Sequence, residues 1–302
     1  MAHPAPSPPP GPASLPLRLV SLNIRYAADE HQRAPAEQPW PARCPRLAAQ
    51  LRFLAAGHQP APFLCLQEVL HAQLLDLQAQ LGEPWAHVGR GRGAGPRDGE
   101  LSPILFRADA WACDASRTLW LSETPDRPSR GWDAALNRVV TVGRFRHRAS
   151  GARVVVMSTH LDHRGAEARR RSADLLLRLA AEWGRPDPDP GAPDAPDPVP
   201  VLVAGDFNSR PDGDAYRVMT APGSGLRDVA ALAGPRGHLG NHVTYTSFGE
   251  PDEFPQRLDF VFVRDDPGSL DVDAYAVLPN SFDDQVRFSD HRPVVADMRL
   301  RL

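Results

Sequence analysis

Short apolar runs rich in β-branched and aromatic residues recur along the chain, and several of them end in polar side chains. They span residues 17–23, 61–67, 102–106, 138–145, 153–160, 199–208, 257–263, 273–278 and 293–300. Helical periodicity occupies residues 44–56, 71–81 and 167–183. Nine strands with few helices do not fit a regular alternation of strand and helix. We predict an α/β fold, a four-layer α/β sandwich in which two mostly antiparallel β-sheets pack face to face with helices outside.

One proline-rich segment precedes this pattern of strands and helices, and a second interrupts it. Residues 1–16 contain seven prolines and almost no large apolar side chain, which predicts a disordered tail. Residues 185–198 alternate proline with aspartate and alanine, which predicts a surface loop that cannot pack into a core. We therefore expect a single domain over residues 17–302.

Composition excludes several classes of protein. The formal net charge is −3, so charge gives no indication of a nucleic-acid or membrane partner. All 34 basic residues are arginine, which excludes covalent chemistry on lysine. Three scattered cysteines indicate no disulfide framework, and no apolar run is long enough to span a membrane. We expect a monomer in the cytoplasm.

The stretch VPVLVAGDFN, residues 199–208, shows why the ends of the runs matter. Along an extended chain Asp206 and Asn208 point to the same side, while Phe207 points back toward the core. Other runs also carry polar residues at or near an end, namely Asn23, Glu68, His160 and Asp259. Strand ends at one edge of a sandwich offer a rigid place for a polar site. Together these side chains supply the groups that metal-assisted phosphoester hydrolysis requires.

Seven sequence blocks resemble, in order, those of the endonuclease/exonuclease/phosphatase superfamily, the deoxyribonuclease I-like proteins. They are SLNIRY, LQEVL, GELSPILF, STHLDH, AGDFNSRP, RLDFVFV and SDHRPVVADM. The resemblance extends over roughly residues 17–300 and implies a phosphoester hydrolase that depends on Mg²⁺ or Mn²⁺. It implies that Asn23 and Glu68 hold the cation, and that Asp290 lies beside the metal or the water. The substrate would be a phosphoester.

The same resemblance assigns the remaining catalytic groups. Asp206 would orient or deprotonate the attacking water, and Asn208 would bind the phosphate. His291 and His160 would also act on the phosphate, His160 as a donor to an oxygen or to the leaving group. Asp259, an acidic residue among apolar neighbours, is expected beside a histidine or the metal.

Two assignments rest on weaker matches within the same blocks. Glu100 has the spacing of a family glutamate that bonds the second histidine, so it would hold His160 in a charged form. Arg138 lies where related nucleases present an arginine to substrate phosphate. A loop carboxylate and a surface strand residue are the alternatives for these two positions.

The segment 120–138 contains Trp120 and Trp132 together with arginines and proline pairs. It is similar to a segment in a group of microbial members of the superfamily. Two interpretations stay open: the tryptophans pack on the sandwich, or they form a substrate wall, since indole faces suit sugar rings and bases.

Three functions are consistent with the sequence. The leading one is a divalent-metal-dependent phosphodiesterase or phosphatase in which water attacks phosphorus in line. A nuclease that acts on DNA or RNA is the first alternative. A non-catalytic binding module that keeps the scaffold is the second.

Overall fold

Two β-sheets form the centre of the computed structural model, which describes residues 14–60, 62–185 and 198–302. The strands are β1 (Ser14–Asn23), β2 (Phe63–Gln67), β3 (Trp85–Val88), β4 (Ile104–Arg107), β5 (Trp111–Trp120), β6 (Val139–His147), β7 (Arg153–His160), β8 (Val201–Asp206), β9 (Arg227–Asp228), β10 (His238–Gly240), β11 (Asp259–Arg264), β12 (Leu270–Val277) and β13 (Val294–Arg301). The helices are α1 (Trp40–Ala55), α2 (His71–Leu81), α3 (Ala166–Trp183), α4 (Asp214–Thr220) and α5 (Val229–Gly237), with a short 3-10 helix at Glu30–Gln32.

Strand order confirms the predicted sheet arrangement. The first sheet has the order β10-β12-β13-β1-β2-β4-β3 and the second has the order β5-β6-β7-β8-β11-β9. Most neighbouring strands are antiparallel, and the parallel pairs are β1 with β2, β7 with β8, and β10 with β12. Each of the nine predicted runs overlaps one of the strands, and each of the three predicted helices is present.

Three apolar clusters define the four layers. The central cluster joins the inner faces of both sheets and includes Leu19 from β1 and Leu202 from β8. A second cluster packs α3 and α4 on the outer face of the six-stranded sheet. A third packs α1 and α2 on the outer face of the seven-stranded sheet. Burial of these apolar surfaces is the main term that stabilises the sandwich.

The ends of the domain differ in part from the prediction. β1 begins at Ser14 and pairs with β13 from that residue, because Leu15 and Leu17 both face the central core. The predicted boundary between tail and domain at residues 16 and 17 therefore falls inside a strand. Residues 1–13 of the tail and residues 186–197 of the predicted loop lie outside the described residues. Across the described chain, no helix is long and apolar enough to cross a membrane.

The inner faces of the sheets change from apolar to polar toward one edge. In β8 the inward residues Leu202 and Ala204 belong to the central core, and Asp206 is the next residue of that alternation. In β1 the alternation leads from Leu17 and Leu19 to Asn23 in the same way. The central core therefore ends in a layer of polar side chains at this edge.

Candidate active site

Three adjacent strands bring three of the predicted residues into one row. His160 lies opposite Asp206 in the parallel β7–β8 ladder, and Asp206 lies opposite Asp259 in the antiparallel β8–β11 ladder. All three side chains are buried. Nε2 of His160 lies 3.4 Å from Oδ2 of Asp206. The sheet register alone therefore places an imidazole and two carboxylates side by side.

His291 closes the far end of this row. Its Nδ1 lies 2.8 Å from Oδ2 of Asp259, and its Nε2 lies 3.7 Å from Oδ2 of Asp206. Burial acts to lower the pKa of His291, but the charges of Asp259 and Asp206 raise that pKa well above its usual value. His291 is therefore a charged imidazolium held between two carboxylates.

Asp206 is poised between its ionised and neutral forms. Burial, together with the charge of Asp259, raises its pKa to about 7, although the charge of His291 acts to lower it. Its Oδ2 accepts a hydrogen bond of 3.1 Å from Nδ2 of Asn23. Its Oδ1 accepts one of 2.8 Å from the backbone N–H of Asn208. A carboxylate with a pKa near neutrality suits a group that takes a proton from water.

Asn208 connects Asp206 to His160. Its backbone φ of 45° lies in the left-handed region, so the strand has ended before this residue. Nδ2 of Asn208 lies 3.0 Å from Nε2 of His160 and donates to the Leu161 carbonyl oxygen over 3.0 Å. The pKa of His160 lies well below its usual value because of burial and the charges of two nearby arginines. His160 is therefore neutral, and its Nε2 accepts from Asn208.

Two carboxylates face the same site from the other sheet. Glu68 follows β2 with a φ of 60° and accepts hydrogen bonds from Nδ2 of Asn23 at 2.9 Å and from the backbone N–H of Tyr26 at 3.2 Å. Burial acts to raise the pKa of Glu68, but the bond from Asn23 and the charge of Arg25 bring it below its usual value. Burial and the charge of Glu68 raise the pKa of Asp290.

A cavity of about 760 Å³ opens over these groups. The predicted residues on its wall are Glu68, Glu100, Arg138, His160, Asp206, Asn208, Asp290 and His291. Asn23 and Asp259 are fully buried behind hydrogen bonds to Glu68 and His291. The fold therefore brings strand ends from both sheets to one concave polar site, as expected of an enzyme active site.

Comparison with protein-family models identifies the family of this chain. Residues 20–291 match the model of the Endonuclease/Exonuclease/phosphatase family. The chain belongs to this family. A search of curated proteins gave no match.

Solved structures of the endonuclease/exonuclease/phosphatase family resemble the whole described chain. An endonuclease/exonuclease/phosphatase from Bacteroides vulgatus is 30% identical with a TM-score of 0.80, over 94% of this chain and 99% of that one. A family protein from Bacteroides thetaiotaomicron is 28% identical with a TM-score of 0.79, over 96% and 100%. A mannosyl-6-phosphatase from Bacteroides thetaiotaomicron is 28% identical with a TM-score of 0.77, over 93% and 99%.

Glu100 differs from what its resemblance to the family implies. It accepts a hydrogen bond of 2.7 Å from Nη2 of Arg92 instead of contacting His160. Burial, with the charge of Glu68 acting in the same direction, raises the pKa of Glu100 to about 7. Glu100 therefore contacts Arg92, and His160 is neutral. The structure does not contain the predicted pair in which Glu100 holds a charged His160.

The tryptophans of segment 120–138 also differ from the substrate-wall interpretation. Trp120 is the last residue of β5, is 2% exposed, and donates from Nε1 to the carbonyl oxygen of Arg92 over 2.9 Å. Trp132 has a φ of 47° and a backbone N–H that donates to the Glu123 carboxylate over 3.3 Å. Neither tryptophan is among the described residues that line the cavity. The structure therefore favours the interpretation that Trp120 packs on the sandwich.

Arg138 does reach the cavity. Its side chain is 5% exposed, with Nε 3.4 Å from Oδ2 of Asp162 and Nη2 3.0 Å from Nδ1 of His163. Its Nη1 is buried and has no hydrogen-bond partner within the described part of the chain. A guanidinium that keeps an unused donor at a cavity wall suits an anionic ligand.

Two groups of side chains could hold a cation in this endonuclease/exonuclease/phosphatase site. One ligand atom from each of Asp206, Asp259 and His291 lies within 4.8 Å of the other two. However, Nδ1 of His291 is already taken by Asp259. Glu68 and Asp290 form the second group, and their hard oxygen atoms are the donors that Mg²⁺ prefers. Because both carboxylates also line the cavity, this second group fits the metal better.

Asn23, which the sequence predicts as a cation ligand, contacts two carboxylates of the site. Its Nδ2 bridges Glu68 and Asp206, while its Oδ1 accepts a hydrogen bond of 3.0 Å from the backbone N–H of Arg25. In this arrangement Asn23 orients the two carboxylates through its amide group.

Several wall residues were not predicted from the sequence. They are Arg25, Tyr26, Arg92, Leu136, His163, Tyr245, Glu253 and Leu258. Arg25 follows Asn23 by two residues inside the SLNIRY block, so the block itself carried a signal. Arg92 lies in a glycine-rich loop without a recognised motif, and only the fold brings it to the site.

Proposed function

We propose that the chain is a Mg²⁺- or Mn²⁺-dependent phosphoester hydrolase in which water attacks phosphorus in line. The observation that carries the proposal is the buried row of His160, Asp206 and Asp259, completed by His291 and facing Glu68 across one cavity. This row supplies a base, a charged donor and hard oxygen ligands within one concave site. We further propose that the protein is a cytoplasmic monomer.

Glu68 and Asp290 would hold the cation, with Asn23 fixing the orientation of Glu68. When bound, a divalent cation offsets charge on the phosphoryl group and lowers the pKa of water. Family membership and the position of both carboxylates on the cavity wall support this assignment.

Asp206 would take the proton from the attacking water. Its pKa of about 7 keeps a large fraction of the carboxylate ionised near neutral pH, and its Oδ2 is held in place by Asn23. His291 would then donate a hydrogen bond from Nε2 to a phosphoryl oxygen, because its Nδ1 is fixed on Asp259. A preorganised charged donor of this kind stabilises the negative charge that develops in the transition state.

Asn208 and His160 would align the substrate opposite this charged group. Both amide protons of Asn208 are engaged, one on His160 and one on the carbonyl oxygen of Leu161. Binding phosphate through Asn208 therefore requires that one of these two bonds be exchanged for a phosphate oxygen. Neutral His160 can accept or donate at that exchange without a change in net charge.

Small phosphoesters are the substrates that we favour over nucleic acid. A net charge of −3 and an exposed Glu253 at the cavity wall oppose the polyanionic flanks of DNA or RNA. The resemblance to a mannosyl-6-phosphatase supports a phosphorylated sugar as one substrate class. A silent binding module is the weaker alternative, because the predicted ligands and phosphate-contacting side chains converge on one cavity.

Hydrolysis assays test the proposal directly. We expect the purified protein to hydrolyse p-nitrophenyl phosphate, bis(p-nitrophenyl) phosphate or mannose 6-phosphate with Mg²⁺ or Mn²⁺, and to lose this activity in EDTA. Asp206→Ala and His291→Ala should each lower kcat by roughly several hundred-fold, as is usual for residues that act in the transition state. Asp212→Ala, which removes an exposed carboxylate, should keep full activity. Metal-independent turnover, or full activity in both site variants, would contradict this mechanism.

A further inference from the structure

Arg92 lies in a glycine-rich loop at residues 89–99, between β3 and β4. The loop is closed by hydrogen bonds from the backbone N–H of Gly91 to the Pro96 carbonyl oxygen and from the N–H of Gly93 to the Asp98 carbonyl oxygen, both 2.8 Å long. A Cβ atom on Gly91 would collide with the Asp98 carbonyl oxygen. This close approach requires glycine and fixes the path of the backbone on either side of Arg92.

The backbone of Arg92 is also anchored from outside the loop. Its carbonyl oxygen accepts hydrogen bonds from Nε1 of Trp120 at 2.9 Å and from Nδ2 of Asn137 at 3.2 Å. Its N–H donates to the carbonyl oxygen of Glu100 over 3.0 Å. Buried Trp120 therefore serves as a support for this loop, and Arg92 starts from a fixed backbone position.

The guanidinium of Arg92 faces the catalytic cavity. Its Nη2 donates to Oε1 of Glu100 over 2.7 Å, and both side chains are 15% exposed. Arg92 lines the same wall as His160 and Arg138, and it is one of the charges that lower the pKa of His160. Three arginines thus line the wall, Arg25, Arg92 and Arg138, and Nη1 of Arg138 has no hydrogen-bond partner in the described chain.

Arg92 and Arg138 each have a carboxylate partner, Glu100 and Asp162, but a guanidinium has five N–H donors and such a contact does not use them all. Burial is the largest cause that lowers the pKa of Arg92, and the nearby charge of Arg138 acts in the same direction. A guanidinium group stays charged in proteins, so Arg92 and Arg138 both keep their charge. Arginine pairs with phosphate through two parallel hydrogen bonds, which matches the oxygens of a terminal phosphate.

We propose that Arg92 is a specificity-determining residue that binds a peripheral oxygen of a terminal phosphate and makes the site prefer phosphomonoesters to phosphodiesters. A phosphomonoester carries nearly two negative charges at neutral pH, whereas a diester carries one and covers an oxygen with a second alcohol. An added guanidinium on the wall therefore favours the monoester. This inference rests on the proposed phosphoester hydrolase function.

Three variants separate the role of Arg92 from a general effect of charge or loop stability. Arg92→Gln removes the guanidinium, and Arg92→Lys keeps the charge without the planar pair of donors. Arg97→Gln is the matched control, because Arg97 is an exposed arginine of the same loop that is not on the cavity wall. The thermal unfolding curve of each variant shows whether the loop still folds.

The first measurement compares kcat/KM for p-nitrophenyl phosphate and bis(p-nitrophenyl) phosphate with Mg²⁺ present. A charged hydrogen bond contributes enough that Arg92→Gln should lower the monoester value by about 10- to 100-fold. The diester value should fall by less than about threefold, so the preference between the two substrates shifts at least severalfold. Arg92→Lys should retain part of the preference, and Arg97→Gln should match the wild type.

The second measurement uses inorganic phosphate as the probe, titrated by calorimetry with Mg²⁺ present. Arg92→Gln should weaken phosphate binding by about tenfold or more, and Arg97→Gln should leave it unchanged. Equal losses for monoester and diester, or unchanged phosphate affinity, would overturn the proposal. If the wild type hydrolyses neither ester but binds phosphate through Arg92, the hydrolase function fails while the phosphate contact of Arg92 stands.

Discussion

Nδ1 of His291 lies 2.8 Å from Oδ2 of Asp259, and both side chains are buried where the two sheets meet. Oδ1 of Asp259 has no hydrogen-bond partner among the described residues, so the carboxylate depends on the charge of His291. Removal of one partner would leave the other as an uncompensated polar group in a buried place. The pair fixes which nitrogen of His291 faces the cavity.

We expect Asp259→Asn to lower kcat/KM by about 100-fold or more, because it removes the charge that keeps His291 protonated. The pKa of His291 lies well above its usual value in the wild type, with burial opposing and Asp259 raising it. In the proposed mechanism protonated His291 is the active form, so we expect activity to be lost as pH rises through its folded pKa. In Asp259→Asn this basic limb should move to lower pH.

The pH dependence of kcat/KM measures this shift. Asp273→Asn is the control, since Asp273 forms an exposed salt bridge with Arg299 on β12 and β13. An unshifted basic limb in Asp259→Asn would show that Asp259 does not set the charge of His291.

Asp206→Asn should raise the free energy of unfolding above neutral pH and should also abolish catalytic activity. The folded pKa of about 7 lies above the usual value of 3.8, mainly because of burial. Stability from this raised pKa is present below pH 3.8 and is lost progressively as pH rises to about 7. The ionised form therefore lowers the free energy of unfolding at pH 8 by on the order of 4 kcal/mol, which asparagine avoids.

Thermal unfolding in EDTA at pH 8 and pH 4 tests this effect. The Tm advantage of Asp206→Asn should be clear at pH 8 and small at pH 4. Asp212→Asn, an exposed control, should show no such difference. An advantage that is the same at both pH values would contradict the assigned pKa.

Several of the strands that the sequence predicted, such as β2, β8 and β11, contain a continuous apolar run that is buried on both faces. β5 was missed because its central residues are exposed and its sequence, WACDASRTLW, has no such run. It is an edge strand that pairs with β6 alone, so tertiary pairing defines it. β3, also missed, is a four-residue edge strand. Edge elements are set by the neighbour they pair with more than by their own composition.

Asp206 and Asn208 come together in a way that face alternation describes only in part. Face alternation predicted that Asp206 and Asn208 would serve one site, and both contact His160. Yet β8 ends at Asp206, and the left-handed backbone of Asn208 brings the two together through a hydrogen bond. Contacts such as Arg92 with Glu100 depend on how a loop folds against another element, and no spacing in the sequence encodes them.

Glu68→Gln should weaken Mg²⁺ or Mn²⁺ binding by about tenfold or more, because a charged oxygen ligand is replaced by a neutral one. Isothermal titration with the metal alone measures this loss. Glu83→Gln, which neutralises an exposed glutamate, should leave binding unchanged. If Asp259→Asn abolishes metal binding and Glu68→Gln does not, the cation lies instead at the group of Asp206, Asp259 and His291.

Gly205→Ala should damage both stability and activity, because Gly205 holds β7 and β8 at close distance. A Cβ atom there would collide with the Thr159 carbonyl oxygen, directly beside His160 and Asp206. We expect a loss of about 1–3 kcal/mol in the free energy of unfolding, from overpacking of a rigid ladder. Gly57→Ala is the matched control, since Gly57 has a φ of 71° and a Cβ added there would meet no atom within 4 Å.

The Gly57→Ala control separates the effect of backbone strain, which it shares, from the effect of a collision, which only Gly205→Ala causes. Chemical denaturation should show a larger loss for Gly205→Ala than for Gly57→Ala, and only Gly205→Ala should lower kcat. The fall in kcat follows because separating the two strands changes the 3.4 Å distance between Nε2 of His160 and Oδ2 of Asp206. Equal losses of unfolding free energy and of kcat in the two variants would contradict this prediction. They would mean that β7 and β8 can move apart at Gly205 without harm, and that their close contact does not position His160 and Asp206.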